Sequence, residues 1–321
     1  MFLSGLEILA IPVFAIGVLL LWKGSDILVN GTSKTAVQLG ISALIISVIL
    51  VGFGTSAPEF AISVGAAVKN NSDISLGNII GSCIANLFLV LGFAALIRPI
   101  KIRKGIIKRE APIMLLATLI LLIFAYFNLL DKYHLIGGII FCILFCIFVF
   151  YFFCCAKKER VNKKKYDSGK TMKNIFLIFF GIAGVVAGAW LLLESAVCIA
   201  DFFNIPQFAI ALSIVAIGTS LPELVVSSMA AYKGESDIAV GNVLGSNVFN
   251  ILLVLGFAAL FIPLKAIESF DHLIILLIVS VLIFPIIITG NKISRVEGFF
   301  LIVVYSIFIW YSFSGLTFIK I

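Results

Sequence analysis

Two short stretches of the sequence combine hydroxyl, carboxyl and proline side chains in the same order. They are "GTSAPE" at 54–59 and "GTSLPE" at 218–223. On a helix, Thr55 and Ser56 lie four and three residues before Glu59, so the three side chains share one face. Pro58 has no N–H to donate and its ring pushes against the preceding turn, so backbone carbonyl oxygens are left free there. Each stretch therefore predicts a cluster of oxygen ligands, and in the second stretch these are Thr219, Ser220 and Glu223.

A second pair of polar side chains follows each stretch after about two dozen residues. Ser82 and Asn86 are four residues apart, and so are Ser246 and Asn250. Oxygen ligands that include carboxylates suit hard cations such as calcium, sodium or magnesium rather than zinc or copper. Calcium takes about six to eight oxygens, a number that two carboxylates with nearby hydroxyls and carbonyls can supply.

The setting of these acids is hydrophobic. The chain has 321 residues, of which 62% are hydrophobic and 12% are charged, and its mean hydropathy is +1.23. Such a composition is that of an integral membrane protein. A carboxylate inside a membrane costs about 2.5 to 3.5 kcal/mol on insertion scales, so it indicates function, whereas a single Ser, Thr or Pro in a helix does not.

Apolar runs long enough to cross a bilayer occur about ten times. A strand pattern of alternating polarity is absent, so we expect an all-α fold, and we expect the first run to be a retained helix. The predicted spans are 6–22, 40–67, 77–97, 111–130, 135–155, 175–193, 208–232, 238–262, 272–289 and 298–314.

The two halves of the chain repeat each other. "SDISLGNIIGSCIANLFLVLGFAAL" at 72–96 returns as "SDIAVGNVLGSNVFNILLVLGFAAL" at 236–260. The offset from residue 72 to residue 236 equals the offset from residue 54 to residue 218 between the two hexapeptides, and we call this offset the repeat spacing. We predict a five-helix repeat in 1–155, a basic linker in 156–174 and a second five-helix repeat in 175–321. Because five is odd, the second copy must cross in the opposite sense, which predicts an inverted-topology repeat with its site near the membrane midplane.

Charge gives the orientation. Residues 156–174 hold eight Lys or Arg against two acids, and placing them in the cytoplasm puts 19 of the 23 basic residues on that side. This bias follows the positive-inside rule and places both termini outside the cell. We interpret the net charge of +7 as orientation and contact with anionic lipid, and we expect no nucleic-acid partner.

The repeated motifs resemble the two alpha-repeats of the cation/calcium antiporter superfamily, and are most similar to prokaryotic sodium/calcium exchangers. The resemblance implies a central site that calcium and sodium occupy in turn, with Glu59 and Glu223 shared by both ions. It also implies backbone ligands at Gly52 and Ala216. The remaining ligands that it implies are Thr55, Ser56, Ser82, Asn86, Thr219, Ser220, Ser246 and Asn250. Some relatives, including the potassium-dependent exchangers, carry Asp where this chain has Asn250. The resemblance therefore favours an exchanger that does not cotransport potassium.

The sequence therefore predicts a secondary antiporter in the cell membrane that exchanges sodium for calcium. A proton/calcium exchanger would share the fold and stays open as the alternative. A passive channel or a membrane scaffold would not explain two repeated buried acids. No nucleotide-binding loop of the Walker type is present, so we do not expect a primary pump. We also expect that the protein is not an enzyme, that it needs no cofactor and that it acts as a monomer.

Overall fold

The computed structural model describes residues 9–103, 105–159, 168–202, 218–288 and 291–313, and these residues are almost entirely helical. The first half contains α1 (Ala10–Leu39), α2 (Ala43–Ile46), α3 (Gly52–Thr55), α4 (Ala57–Val68), α5 (Ser72–Ala85), α6 (Leu91–Ile97), α7 (Ala111–Tyr126), α8 (Leu129–Lys132) and α9 (His134–Glu159). The second half contains α10 (Ser168–Phe202), α11 (Leu221–Lys233), α12 (Ser236–Phe249), α13 (Leu255–Ala259), α14 (Phe270–Ile288) and α15 (Arg295–Phe313).

Wider π-helical turns join several of these helices into longer stretches. They are Ser47–Val51, Asn86–Val90, Ile106–Glu110 and Asn250–Val254, and a 3-10 turn, Ala266–Ser269, precedes α14. Two short strands, β1 (Ile100–Lys101) and β2 (Lys292–Ile293), pair in an antiparallel manner. The sequence pattern did not predict these strands, which are too short to show alternation.

Within the described residues, six helices are long and apolar enough to cross a membrane, or seven when the bent pair Ala43–Thr55 and Ala57–Val68 counts as one span. The chain is therefore a multi-pass helical membrane protein. This count does not confirm the ten predicted spans. Breaks and turns shorten several helical stretches, and residues 208–217 of the predicted seventh span lie outside the described part.

The first predicted helix, 6–22, is too short. In the structure α1 runs from Ala10 to Leu39. Its second half holds Lys23, Asp26, Asn30 and Lys34, which interrupt the apolar pattern. The helix continues through them because distant residues satisfy polar groups in this part of it. For example, Ser33 Oγ donates to Glu235 Oε1 at 2.7 Å.

Helices α1 and α10 pack against each other along most of their length through glycines. A Cβ atom on Gly17 would lie 2.8 Å from the Leu192 nitrogen, and one on Gly181 would lie 2.7 Å from the Leu28 nitrogen. Such distances allow no side chain, so the two backbones are in direct contact. Any larger residue at these positions would force the helices apart.

These glycine contacts are reciprocal between the two halves. The repeat spacing takes Gly17 to Gly181 and Leu28 to Leu192. The same exchange relates the bond from Lys101 N to Ser236 Oγ, 3.1 Å, to the bond from Lys265 N to Ser72 Oγ, 3.0 Å. Contacts that occur in both senses are typical of a two-fold relation. The sequence repeat is therefore accompanied by contacts that are reciprocal between the two halves.

The two halves differ at one pair of helix contacts. Helix α1 packs on α11, whereas α10 makes at most marginal contact with α4, which is the counterpart of α11. At the first contact, Lys233 Nζ lies 2.6 Å from Asp26 Oδ1 and 2.8 Å from Asn30 Oδ1. The structure is thus closed at the Lys233 end of α11 and more open at the equivalent end of α4.

The stretches from Ser72 to Ile97 and from Ser236 to Ala259 form the centre of the protein. Most of their residues are buried, in contrast to α1, α9, α10 and α15, whose apolar side chains face outward to a large extent. In a membrane protein such outward faces meet lipid. Polar side chains on the two central stretches therefore lie away from lipid.

Candidate cation-binding site

The helix that carries Glu59 is broken at Ser56. This residue has φ −83° and ψ 12°, outside the helical range, and the two segments that meet there are bent by 48°. Pro58 lies at the start of α4, where the absence of its N–H costs no helical hydrogen bond. Because proline also cannot donate to the carbonyl of Gly54, the break leaves polar backbone next to the predicted ligands.

The second copy is broken in the same way. Ser220 has φ −86° and ψ 6°, and Pro222 lies in the first turn of α11. Glu59 and Glu223 therefore both occupy the first turn of a helix. At that position the positive end of the helix dipole stabilises a negative charge, so both carboxylates lie where the backbone favours their ionised form.

Glu223 connects the two halves of the site. Its Oε1 accepts hydrogen bonds from Ser56 Oγ at 2.7 Å and from Ser246 Oγ at 3.2 Å. Thr55 Oγ1 lies 3.4 Å from Ser246 Oγ and donates to Asn242 Oδ1 at 3.0 Å. Residues from opposite halves of the sequence thus share one buried cluster.

Glu59 lies on the other side of this cluster. Its Oε1 accepts from Ser82 Oγ at 3.4 Å, and its charge repels that of Glu223. Both acids are fully buried. Buried carboxylates that have no Arg or Lys partner among the described residues are compensated by a bound cation or neutralised by a proton.

Two amides that sequence analysis did not assign hold the carboxylate-bearing turns. Asn78 Nδ2 donates to the Glu59 carbonyl at 3.2 Å and to Ser63 Oγ at 2.8 Å. Asn242 Nδ2 donates to the Glu223 carbonyl at 3.4 Å and to Ser227 Oγ at 3.0 Å. Both asparagines are part of the repeated motifs "GNIIGS" and "GNVLGS". The signal for them was their recurrence at the repeat spacing.

Asn86 and Asn250 each begin a π-helical turn, which widens the helix at the site. Asn86 Nδ2 donates to Asn247 Oδ1 at 2.9 Å, whereas neither side-chain atom of Asn250 has a partner among the described residues. Both asparagines are fully buried. The two amides predicted to be equivalent ligands are therefore held differently.

The predicted backbone ligands differ from the side chains. The Gly52 carbonyl accepts from Ser56 N at 3.2 Å, and it competes with Glu223 and Asn242 for the single protons of Ser246 Oγ, at 3.2 Å, and Thr55 Oγ1, at 3.4 Å. Ala216 lies outside the described residues. Thr219 is buried next to Ser220 at the second break.

Unpartnered oxygens concentrate in this cluster. Glu59 Oε2, Glu223 Oε2, Asn86 Oδ1, Asn250 Oδ1 and Ser220 Oγ are all buried and have no hydrogen-bond partner within the described residues. Each such atom costs about 1 to 3 kcal/mol, and more when it is charged. Carboxylate, amide and hydroxyl oxygens are the ligand types that hard cations take. Among the described residues, no group of three or more His, Cys, Asp or Glu is available instead.

The family model described as "Sodium/calcium exchanger protein" matches residues 9–154 and 173–314. The chain belongs to this family. It is 34% identical over 339 residues to the sodium/calcium exchanger MaX1 of Methanosarcina acetivorans, in an alignment that covers 92% of this chain and 96% of the relative. It is also 34% identical to an uncharacterized membrane protein of Methanocaldococcus jannaschii, with 94% and 97% covered.

The fold agrees with that of a solved exchanger. The structure of the sodium-calcium exchanger NCX_Mj soaked with sodium and no calcium superimposes with a TM-score of 0.85 at 31% identity, covering 97% of this chain and 100% of the other. Members of the sodium/calcium exchanger family are transporters rather than enzymes, and the ions are their substrates, so no cofactor is involved. The resemblance drawn from the repeated motifs is confirmed.

Proposed function

We propose that this protein exchanges sodium for calcium at the buried cluster around Glu59 and Glu223. The observation that carries the proposal is the set of five unpartnered oxygens there, which includes one oxygen of each carboxylate. Two carboxylates balance the charge of one calcium ion, and amide and hydroxyl oxygens complete its shell. When calcium leaves, sodium ions compensate the same charges.

Ten spans in two inverted five-helix repeats are part of the proposal. The reciprocal contacts between the halves and the odd number of predicted helices support it. In such a protein the site lies near the midplane, and each half in turn opens it to one side of the membrane. Exchange then follows from alternating access, because the protein does not easily change the side to which the site opens while its two carboxylates have no bound cation.

We place the Lys233 end of α11 and the linker 156–174 on the cytoplasmic side, with both termini outside. The excess of basic residues in the loops on that side supports this orientation, with Lys23 and Lys34 left out because both lie within α1. The protein is proposed to act as a monomer. Lipid contacts the outward apolar faces.

Uptake of radiolabelled calcium into proteoliposomes tests the exchange. With sodium, proton and potassium gradients imposed separately, an outward sodium gradient should drive uptake and the other two should not. Empty liposomes and liposomes with equal sodium on both sides are the controls. Uptake that follows the proton gradient without sodium would instead identify a proton/calcium exchanger.

A further inference from the structure

Asn247 differs from its counterpart in the first copy, where residue 83 is Cys. It is buried between the two halves, next to the predicted ligand Asn86, and directly follows the ligand Ser246 in sequence. Its Nδ2 faces two acceptors, the Cys83 carbonyl at 3.1 Å and Met114 Sδ at 3.8 Å. Two acceptors on that side fix the amide nitrogen there and turn Oδ1 toward Asn86.

The amide of Asn86 is fixed in turn. Its Nδ2 donates to Asn247 Oδ1 at 2.9 Å, so its own Oδ1 must point the other way, where it is buried without a partner among the described residues. An amide presents an oxygen to a cation only in one of its two orientations. The two hydrogen bonds, from Asn247 to the Cys83 carbonyl and from Asn86 to Asn247, thus determine which side-chain atom Asn86 presents to a cation.

Asn250 has no such support. The residue at the position that would correspond to Asn247 is Cys83, whose side chain offers no amide oxygen, and both side-chain atoms of Asn250 lack partners in the described part of the chain. One predicted amide ligand is therefore held by a hydrogen bond and the other is not.

We propose that Asn247 is a positioning residue that holds the side-chain carbonyl oxygen of Asn86 toward the bound cation. The amide ligand from the first half of the chain is then in its binding orientation before the ion arrives, whereas Asn250 is not. The proposal rests on the proposed function, since it assumes a cation at the cluster. Preorganised ligands strengthen binding by removing the cost of ordering them. Loss of Asn247 should thus weaken calcium binding without altering the carboxylates.

The test uses calcium-dependent thermal stabilisation of the purified protein, which reports calcium affinity without any transport step. Asn247→Leu should raise the calcium Kd about 10-fold, as expected for one lost orienting hydrogen bond to a group at a charged ligand. Asn174→Leu, which removes a largely buried amide that donates to Gln38 Oε1 at 3.0 Å outside the cluster, is the matched control and should change the calcium Kd little. Asn247→Ser supplies a smaller second variant with the same expected direction.

The decisive measurement repeats Asn247→Leu in an Asn86→Asp background. A carboxylate presents an oxygen in either orientation, so the penalty of about 10-fold should disappear there. An equal penalty in both backgrounds, or a lower melting temperature without calcium and an unchanged calcium Kd, would show a merely structural role. A parent protein that calcium does not stabilise would instead overturn the proposed function.

A second, independent observation concerns the contact of α1 with α11. Lys233 Nζ bonds to Asp26 Oδ1, to the Asp26 carbonyl at 3.2 Å and to Asn30 Oδ1. The repeat spacing maps Lys233 onto Lys69 and Asn30 onto Glu194. The sequence therefore repeats a basic residue at the end of α4 and places an acid opposite it on α10.

In this structure the second contact is not made. Glu194 Oε2 is buried without a hydrogen-bond partner among the described residues, Lys69 is exposed, and α10 barely meets α4. Glu194 lies about 25 Å along α10 from the level of Asn30, by a rise of about 1.5 Å per residue from Asn174 and Ile178, which pack on Gly31. The two positions are thus separated by nearly the thickness of a bilayer core.

From this asymmetry we infer that Lys233 with Asp26 and Lys69 with Glu194 form a pair of alternating ion-pair latches, one on each side of the membrane. In a protein of two inverted halves, the opposite state has the two halves' conformations exchanged. The contact now made by Lys233 is then lost, and Lys69 and Glu194 meet. This inference rests on the alternating access proposed above.

Engineered cysteine pairs test the latches in a background with Cys198→Ala, since Cys198 lies one turn from Glu194. Lys233→Cys with Asn30→Cys should be joined by a short bifunctional maleimide in the resting protein, since the reagent replaces the length of the lysine side chain that makes the contact. Lys69→Cys with Glu194→Cys should be joined at low yield, rising about fivefold when Lys233→Gln removes the closed latch, as expected for a partly exposed ion pair. Each single cysteine is the control.

Failure of the maleimide to join the second pair in the Lys233→Gln background would overturn the latch. The readout needs no sodium or calcium, so the expected cross-linking pattern in a protein without exchange activity would overturn only the assignment of the transported ions. An impermeant thiol reagent added to intact cells should label Lys69→Cys and not Lys233→Cys. The reverse labelling would invert the proposed orientation.

Discussion

Glu59→Gln or Glu223→Gln should abolish sodium-driven calcium flux while the protein remains folded. Each substitution keeps the shape of the side chain and removes one of the two negative charges at the cluster. Removing one partner from a buried charge pair costs about 3 to 5 kcal/mol, which corresponds to a loss of calcium affinity of more than about 100-fold. Calcium uptake into proteoliposomes, with the amount of folded protein verified by size-exclusion chromatography, measures the effect.

A matched control is available in the second half of the chain. Glu297 also lies in the first turn of a helix, where its Oε2 accepts from Ser294 N at 2.7 Å, and it is outside the cluster. Glu297→Gln should leave exchange close to normal. Near-normal flux in either cluster mutant would contradict the proposed site. Acid pH should inhibit in the same way as the substitutions, since protons compete with cations for carboxylates.

The second large effect expected is a response to voltage. The ionised cluster carries two negative charges, because Asn86 and Asn250 are neutral. Calcium or two sodium ions would balance them, and the cycle would then move no net charge. The resemblance to sodium/calcium exchangers favours a third sodium ion, for which the hydroxyls of Ser82 and Ser246 offer further oxygens. One net charge would then move against each calcium.

One charge in a potential of about 100 mV is worth about 2.3 kcal/mol, or about a 50-fold shift in the calcium gradient that sodium sustains. An inside-positive potential should therefore accelerate calcium uptake into vesicles loaded with sodium, since that direction sends positive charge outward. Uptake measured at several clamped potentials tests this. A rate that ignores voltage would exclude the third sodium ion.

Potassium provides the accompanying control. Replacing external potassium by choline, with the potential held by other means, should change nothing, because Asn250 offers no third acid. An absolute requirement for potassium would show that potassium cotransport does not depend on an acid at position 250.

Much of the cluster was predictable because its elements are local. The hydroxyls of Thr55 and Ser56 and the carboxylate of Glu59 are linked by helical spacing, and the break is linked to Pro58. The constant repeat spacing then supplied the second copy. These are properties of short windows and of self-similarity, and both are visible in one sequence.

What the sequence did not show depends on partners far away in the chain. The polar second half of α1 looked like the end of a helix, because Glu235 and Lys233, which satisfy it, belong to the other half of the chain. Likewise, Asn247 differs from its neighbours only through the amide that it meets across the repeat interface. No local pattern reports such pairings.

The reciprocal contacts also bear on how the protein arose. When Gly17 meets Leu192 and Gly181 meets Leu28, one surface is used twice, as it would be between two identical subunits. Fusion of two copies of one gene would preserve such a pattern and would allow the residues on the two sides of the interface to change independently. A mutation in a self-associating ancestor would have changed both sides of the interface. In a single chain, positions that match between the copies can carry different residues, as Cys83 and Asn247 do, and Asn30 and Glu194.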